Sequence, residues 1–292
     1  MSALFQSVAN INVAGNINKE ICGEKILDFV KTIPNHLGKA ELIATSIENE
    51  LGFPESYSFV YPNLESLESS QITCASENPE QGPDEGNMEV VSIFPRLNKT
   101  GLTYQGKIQK IYVQKDTMEA IIELSYNEHQ LYFFDLDFVK NWHHYDSNHS
   151  VQAVIYGIAH NATLSDSHLT KTITINENMA AALNKKVGET IEVVVGEVRY
   201  CLPRADIKED GYIVHEFRGK IHSVREVTLP QTKSEGWICA VDCLWTGSAN
   251  GEPSKKDIVE VYLAKHSWQE NKTPKVDDYL SGFILLCGFI NN

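Results

Sequence analysis

Short runs of apolar residues, broken by turn residues, dominate the chain after residue 88. The runs are rich in Val, Ile, Tyr and Phe, which is typical of β-strands. Strands are therefore predicted at Val90–Phe94, Gly106–Val113, Ala120–Tyr126, Leu131–Phe138, Val151–His160, Thr190–Val195 and Tyr279–Ile290.

Two stretches of the chain follow the same plan. Tyr104–Asn161 begins YQGKIQKI and Phe217–Phe289 begins FRGKIHSV. Each continues through strand-like runs and a polar excursion to an apolar ending built on Gly followed by Ile or Phe. Five-stranded barrels with a polar or helical element between strands three and four describe the OB-like architecture. The repeat therefore predicts small OB-like barrels in series, with a single continuous β-sandwich as the alternative.

The pattern before residue 64 predicts helices instead. Lys19 to Pro34 and Gly38 to Gly52 carry apolar residues at helical spacing, and the Pro-Asn turn between them indicates a helical hairpin. Tyr57–Pro62 is a candidate strand. Glu65–Glu89 holds seven acids and no Lys or Arg. Such a composition buries too little apolar area to offset the entropy of ordering, so we expect a flexible acidic linker there.

These patterns predict an α+β protein that is mainly β, with an N-terminal helical hairpin followed by repeated small OB-like β-barrel modules. The predicted organisation has a helical region, an acidic linker, a first β module, a connecting β-α-β unit and a second β module, at 1–64, 65–89, 90–165, 166–210 and 211–292.

The connecting unit has a recognisable order of elements. A strand precedes Asn176, which can cap a short helix at Glu177–Leu183, and Lys185–Gly188 turns the chain into the strand at Thr190–Val195. This order resembles the subunit of small swapped-hairpin barrels of the AbrB type. The resemblance covers about thirty residues, and its motif is too generic to imply a function.

The charge of the chain bears on its partners. The net charge is −14, and residues 1–90 hold 14 Asp and Glu against 4 Lys. An acidic protein repels phosphate backbones, which disfavours nucleic acid as a partner. The acidity is interpreted either as an aid to solubility or as an acidic face for a basic protein partner.

Other sequence features favour the cytoplasm. No apolar run approaches the roughly 20 residues of a membrane span, and the N-terminus lacks the basic and apolar regions of a signal peptide. Six scattered cysteines without a CxxC pair fit buried free thiols in a reducing compartment. A zinc site involving Cys239 and Cys243 is the alternative interpretation.

The densest polar group of the chain suggests one metal site. Carboxylates and imidazoles are the ligands that zinc, iron and manganese take, and two of the carboxylates share a strand face. No HExxH-type spacing is present, so a solvated polar loop is the other interpretation. The candidate ligands are Asp135, Asp137, His143, His144 and His149.

A second candidate surface combines aromatic and basic residues. OB-like modules bind oligonucleotides or sugars through exposed aromatics, and neighbouring Lys and Arg would assist. Aromatic residues in β-rich proteins are otherwise core residues. The candidates are Lys107, Lys110, Tyr112, Arg218, Lys220, Trp245 and Trp268.

No Walker loop, nucleophile elbow or dinucleotide fingerprint is present, so no cofactor is predicted and catalysis is not favoured. The first hypothesis is a non-catalytic protein that binds another protein through its acidic surface and repeated β modules, as an adaptor, an inhibitor or an immunity-like antagonist. The alternatives are an OB-like protein that binds nucleic acid or oligosaccharide, and a metal-dependent hydrolase.

Overall fold

The computed structural model describes residues 4–8, 13–26, 28–29, 31, 39–46, 55–76, 88–127, 129–145, 150–177, 179–180, 184–204, 214–244 and 257–291. Within these ranges the protein is mainly β, as predicted. No helix in them has the length and apolar character that crossing a membrane requires. The strands and α-helices are β1 (Phe5–Ser7), α1 (Val13–Cys22), β2 (Glu41–Ser46), β3 (Ser56–Tyr61), β4 (Glu68–Ser76), β5 (Met88–Leu97), β6 (Leu102–Gln114), β7 (Glu119–Tyr126), β8 (His129–Asp135), α2 (Phe138–Asn141), β9 (Ser150–Ser165), β10 (Leu169–Thr174), β11 (Thr190–Gly196), β12 (Tyr200–Pro203), β13 (His215–Thr228), β14 (Glu235–Asp242), β15 (Ile258–Ala264) and β16 (Tyr279–Asn291).

The strand pairings of the larger sheet close two rings of five strands. In the first ring the order is β6–β7–β8–β16–β9 and back to β6. In the second it is β13–β14–β15–β9–β16 and back to β13. β9 and β16 belong to both rings and pair antiparallel along their length. The short strands β1 and β12 extend the sheet beside β6 and β13.

The two stretches predicted as repeats share their fourth strands between the rings. β16, from the second repeat, runs parallel to β8 in the first ring. β9, from the first repeat, runs parallel to β15 in the second ring. Equivalent strands therefore occupy equivalent places, as an internal repeat requires. The β modules predicted at 90–165 and 211–292 are consequently joined in one sheet.

The glycine near the start of each repeat allows two neighbouring strands to approach closely in both rings. A Cβ on Gly106 would lie 2.5 Å from the carbonyl oxygen of Ser125, and a Cβ on Gly219 would lie 2.2 Å from that of Asp242. Only glycine lets the first strand approach the second this closely. Shortly after each glycine the register shifts, as at a β-bulge, which bends the strand and helps the ring to close.

Both faces are largely buried in β7, β14 and β15, which explains their nearly continuous apolar runs, whereas β6 alternates buried and exposed residues over its first half. In β7, Ile122 and Leu124 belong to the core cluster formed mainly by the ring strands, whereas Ile121 belongs to a second cluster that also contains α1 and β5 residues. α1 contributes Ile17 and Ile21, which lie one turn apart on the same helix face. α1 and β5 therefore form a layer over the rings.

The prediction of an N-terminal helical hairpin is wrong. α1 is a single helix, and Glu41–Ser46, inside the predicted second helix Gly38–Gly52, is the strand β2, paired antiparallel with β3. Adjacent apolar residues such as Leu42 and Ile43 fit both a helix and a strand. The pairing with β3 decides, because tertiary contacts override intrinsic propensity. Residues 47–52 lie outside the described residues.

Part of the predicted linker Glu65–Glu89 is a buried strand. β4 lies between β3 and β5 in a four-stranded antiparallel sheet of order β2–β3–β4–β5. Its buried polar groups have partners. The Glu68 carboxylate accepts hydrogen bonds from the backbone N–H of Gln231 at 2.6 Å and the hydroxyl of Thr232 at 2.7 Å. The amino-acid composition of this stretch predicted disorder, because composition does not show which polar groups find hydrogen-bond partners in the folded protein. Residues 77–87 lie outside the described residues.

Residues 169–196 follow the predicted order of strand, helical turn, turn and strand. Among the described residues, β10 and β11 pair only with each other and form a separate two-stranded sheet. Asn176 caps the helical turn after β10 by accepting a hydrogen bond from the backbone N–H of Met179 at 3.0 Å. Gly188, with a φ of 87°, then directs the chain towards β11.

Candidate functional site

The first group of candidate residues lies around α2, where β8 ends. Asp135 closes β8 and is buried. Its carboxylate accepts a hydrogen bond from the Tyr145 hydroxyl and another from the backbone N–H of Asp137 at 3.1 Å. Burial, and then the nearby charge of Asp137, raise the pKa of Asp135 to about 7. These two hydrogen bonds of Asp135 therefore hold the segment that follows β8 in place.

Asp137 has a buried cationic partner that sequence analysis did not identify. Arg96, on β5, donates from Nη1 to Asp137 Oδ1 at 2.5 Å and to Gln71 Oε1 at 3.0 Å. The guanidinium also lies over the ring of Phe289, 5.0 Å from its centroid. Gln71 in turn donates to the carbonyl oxygen of Leu136. Arg96 thus connects β4, β5, β16 and the segment between β8 and α2.

A cavity opens beside this ion pair, and we call it the α2 cavity. Its volume is about 550 Å³. His143 and His144 are exposed beside it, with ring centroids 3.8 Å apart, and partial burial together with the His144 charge lowers the pKa of His143. The residues that line it are Leu64, Arg96, Asn98, Asp137, Lys140, Asn141, His143, His144, Phe289, Ile290 and Asn291.

The structure thus places Asp137, His143 and His144 on one cavity, whereas Asp135 is buried outside its lining and accepts a hydrogen bond from the backbone of Asp137. His149 lies outside the described residues. Within the described ranges no group of three or more His, Cys, Asp or Glu side chains is placed to hold a metal ion. The cavity instead combines cations, imidazoles and amides, which are the groups that bind anions.

The aromatic and basic candidates do not form one surface. β6 and β13, which carry most of them, occupy equivalent places in different rings, with β9 and β16 between them. Arg218 is buried and donates to the carbonyl oxygen of Asp166, and Lys220 pairs with Asp277 at 2.7 Å. These two cations are therefore already engaged within the protein.

The remaining candidates of this group are similarly divided. Lys107 is exposed, whereas Lys110 lies over the ring of the buried Tyr112 at 5.5 Å. Trp268 packs edge-on against Trp237, with centroids 5.9 Å apart, and donates from Nε1 to the carbonyl oxygen of Lys272 at 2.8 Å. Trp245 lies outside the described residues.

The six cysteines are free and buried. Burial raises the pKa of Cys239 to about 12, and the pKa of Cys243 is raised by contact with Cys201 and by burial. Thiols of this kind stay protonated and are poor nucleophiles and metal ligands. Cys239 and Cys243 are therefore poorly suited to nucleophilic catalysis.

A second cavity, of about 780 Å³, lies beside α1. Its charges are largely paired within it. Glu20 Oε1 lies 2.6 Å from His160 Nδ1, and Lys265 Nζ contacts Glu226 at 2.5 Å and Glu235 at 3.3 Å. Four Lys and three Glu line this cavity, and among the described residues none of its buried charged side-chain atoms lacks a hydrogen-bond partner.

Comparisons with known proteins add no further constraint. No protein-family model matches the chain, and neither a curated protein nor a solved structure matches it. Function is therefore inferred from geometry and chemistry alone.

Proposed function

We propose that this is a non-catalytic protein that binds another protein, and that the β10–β11 hairpin is the element that engages it. The observation that carries the proposal is the isolation of this hairpin. Among the described strands, neither of its outer edges is paired. Unpaired edges present rows of backbone donors and acceptors to which an extended segment of a partner can add a strand.

The side chains of the hairpin support this role. The face that carries Thr172, Thr174 and Val194 is exposed, and the exposed fraction is 63% for Val194 and 60% for Val187 in the turn. β-Branched residues favour strand pairing, and an isolated two-stranded hairpin is only marginally stable in water. A partner strand would therefore stabilise the hairpin and cover its exposed valines.

We further propose that each closed ring is a small OB-like barrel and that the protein acts in the cytoplasm. The α2 element between the third and fourth strands of the first repeat supports the OB-like interpretation. OB-like proteins bind nucleic acid or sugars mainly through the outer face of strands two and three. Here Ile121 and Phe134 of those strands lie in the cluster with Ile17 and Phe94, under α1 and β5. This covering favours a protein partner, and the overall charge of −14 favours a basic one.

Affinity capture from a nuclease-treated lysate of the protein's own host, followed by mass spectrometry, tests the proposal. We expect a stoichiometric protein partner. The double variant Val187→Lys, Val194→Lys should reduce its recovery about tenfold, as the loss of a modest interface contact does. Val276→Lys is the matched control, because Val276 is 53% exposed but lies outside the hairpin.

Equal recovery with the hairpin variant and the control would refute the role of the hairpin. Recovery that depends on intact nucleic acid would instead favour the nucleic-acid alternative, despite the charge of the chain.

A further inference from the structure

We propose that the α2 cavity binds a small phosphate-bearing molecule, with Arg96 and Lys140 as its cationic contacts. The site does not involve the β10–β11 hairpin, so this proposal and the protein-binding proposal can fail separately. The volume of about 550 Å³ lies within the range of about 300–1,000 Å³ that is usual for small-molecule sites.

The cavity lining carries more positive than negative groups, although the chain as a whole is acidic. Two cations, Arg96 and Lys140, and the imidazoles of His143 and His144 line it, whereas the one lining carboxylate, Asp137, is already paired with Arg96. The chain as a whole carries a net charge of −14. Lys140 and both imidazoles are exposed. Because Asp137 offsets the charge of Arg96, Lys140 supplies the excess positive charge of the lining, and a positive charge at this position on an acidic protein favours anions.

Arg96 offers a buried donor that has no acceptor. Its side chain is 4% exposed, and its Nε–H has no hydrogen-bond partner among the described residues. Buried charged donors are normally satisfied. Asp137, Gln71 and the ring of Phe289 hold the guanidinium in place. Arg96 lines the cavity, but its Nε atom is closed to solvent in this conformation, so a ligand oxygen would complete its hydrogen bonding after a small shift of neighbouring side chains.

A phosphate suits these groups better than a carboxylate. The donors come from three different elements, namely Arg96 on β5, Lys140 on α2 and the two imidazoles on the 3-10 turn that follows. A phosphate group has three strong acceptor oxygens with which to meet them, whereas a carboxylate has two. Asn98 also lines the cavity, and its buried Oδ1 has no donor among the described residues.

A metal ion is a poorer occupant of the same space. Arg96 and Lys140 would repel a cation, and the carboxylate of Asp137 is already engaged by Arg96. Asp135 is turned towards Tyr145 and the backbone of Asp137. The occupant is therefore expected to be an anion.

Isothermal titration calorimetry of the full chain with inorganic phosphate tests the proposal. We expect saturable binding of one phosphate per chain, and weaker binding of acetate. Lys140→Ala should weaken phosphate binding about tenfold, because a charge-assisted contact is lost. Lys186→Ala is the matched control, since Lys186 is also exposed but lies in the turn between β10 and β11. It should leave phosphate binding unchanged.

A second variant probes the buried donor. Arg96→Lys keeps the charge but removes the Nε–H, so we expect weaker phosphate binding in a chain whose circular dichroism shows it to be folded. The Lys140 result decides the matter if the Arg96 variant does not fold. The proposal is overturned if the folded wild-type chain binds no phosphate at about 10 mM, a concentration that would detect even a weak site. Acetate binding as tightly as phosphate, or equal losses in Lys140→Ala and Lys186→Ala, would overturn it too.

Discussion

Replacing Asp137 with asparagine removes one charge of the buried ion pair and leaves the Arg96 guanidinium without its counter-charge. The two side chains are 10% and 4% exposed, so solvent cannot take over the role of the lost carboxylate. Breaking a buried pair by removing one partner costs about 3–5 kcal/mol. We expect Asp137→Asn to lower the free energy of unfolding by about that amount.

The double variant Arg96→Met, Asp137→Asn removes both charges and should be less destabilised than Asp137→Asn alone. Apolar replacement of a whole buried pair is often close to neutral, so the coupling energy between the two substitutions should be about 2 kcal/mol. The exposed pair Lys185–Glu189, at 2.7 Å with side chains 44% and 39% exposed, is the control. Glu189→Gln should leave the free energy of unfolding nearly unchanged, because solvent screens this exposed pair.

Urea unfolding at pH 7, followed by both circular dichroism and tryptophan fluorescence, measures these differences where the two probes give the same midpoint. An Asp137→Asn variant within about 1 kcal/mol of wild type would show that the pair is solvated. Additive effects of the Arg96 and Asp137 substitutions would show that the two groups do not interact.

Two further predictions follow from the rings and from the buried carboxyl. Gly106→Ala and Gly219→Ala should each lower the free energy of unfolding by about 1–3 kcal/mol through overpacking. Gly157→Ala is the control, because its Cβ would lie 3.3 Å from the nearest atom, and it should lower the free energy of unfolding by less. Urea unfolding measures all three variants, and equal losses would contradict this reasoning. The folded state raises the pKa of Asp135 to about 7, so it favours the protonated carboxyl. The stability that this carboxyl contributes to the fold is present at low pH and is lost as the pH rises through 7. Asp135→Asn should therefore become more stable relative to wild type between pH 5 and pH 8, and parallel pH profiles would refute this expectation.

The strands of both repeats could be predicted from the sequence, but the sharing of β9 and β16 between the two rings could not. Runs such as Ala120–Tyr126 show strand character locally because both of their faces are buried. Local pattern does not reveal which strand a run pairs with. The parallel pairing of β16 with β8 is set by contacts between residues far apart in sequence. The secondary structure at Leu42 and Ile43 could not be predicted, because their apolar pattern fits both a helix and a strand. Pairing with β3 decides between the two.

The α2 cavity could be predicted only in part. Asp137, His143 and His144 are close in sequence, so their chemistry was visible as a group. Arg96 precedes them by about forty residues, within the strand-like run SIFPRL, and nothing local indicates that it is buried. Fold-level packing of β5 against the segment after β8 brings it to the cavity. The aromatic and basic candidates failed to meet because β6 and β13 lie in different rings.

Because β9 and β16 belong to both rings, the order of synthesis determines when the rings can close. Translation adds about 5–20 residues per second, so β6 to β9 emerge from the ribosome well before β16 exists. Until Tyr279–Asn291 arrives, the first ring has a gap between β8 and β9, and its edges are open to wrong partners. Both rings therefore close in the same late step, when one strand joins two rings of the same sheet at once. A chain stopped before that strand would leave neither ring complete.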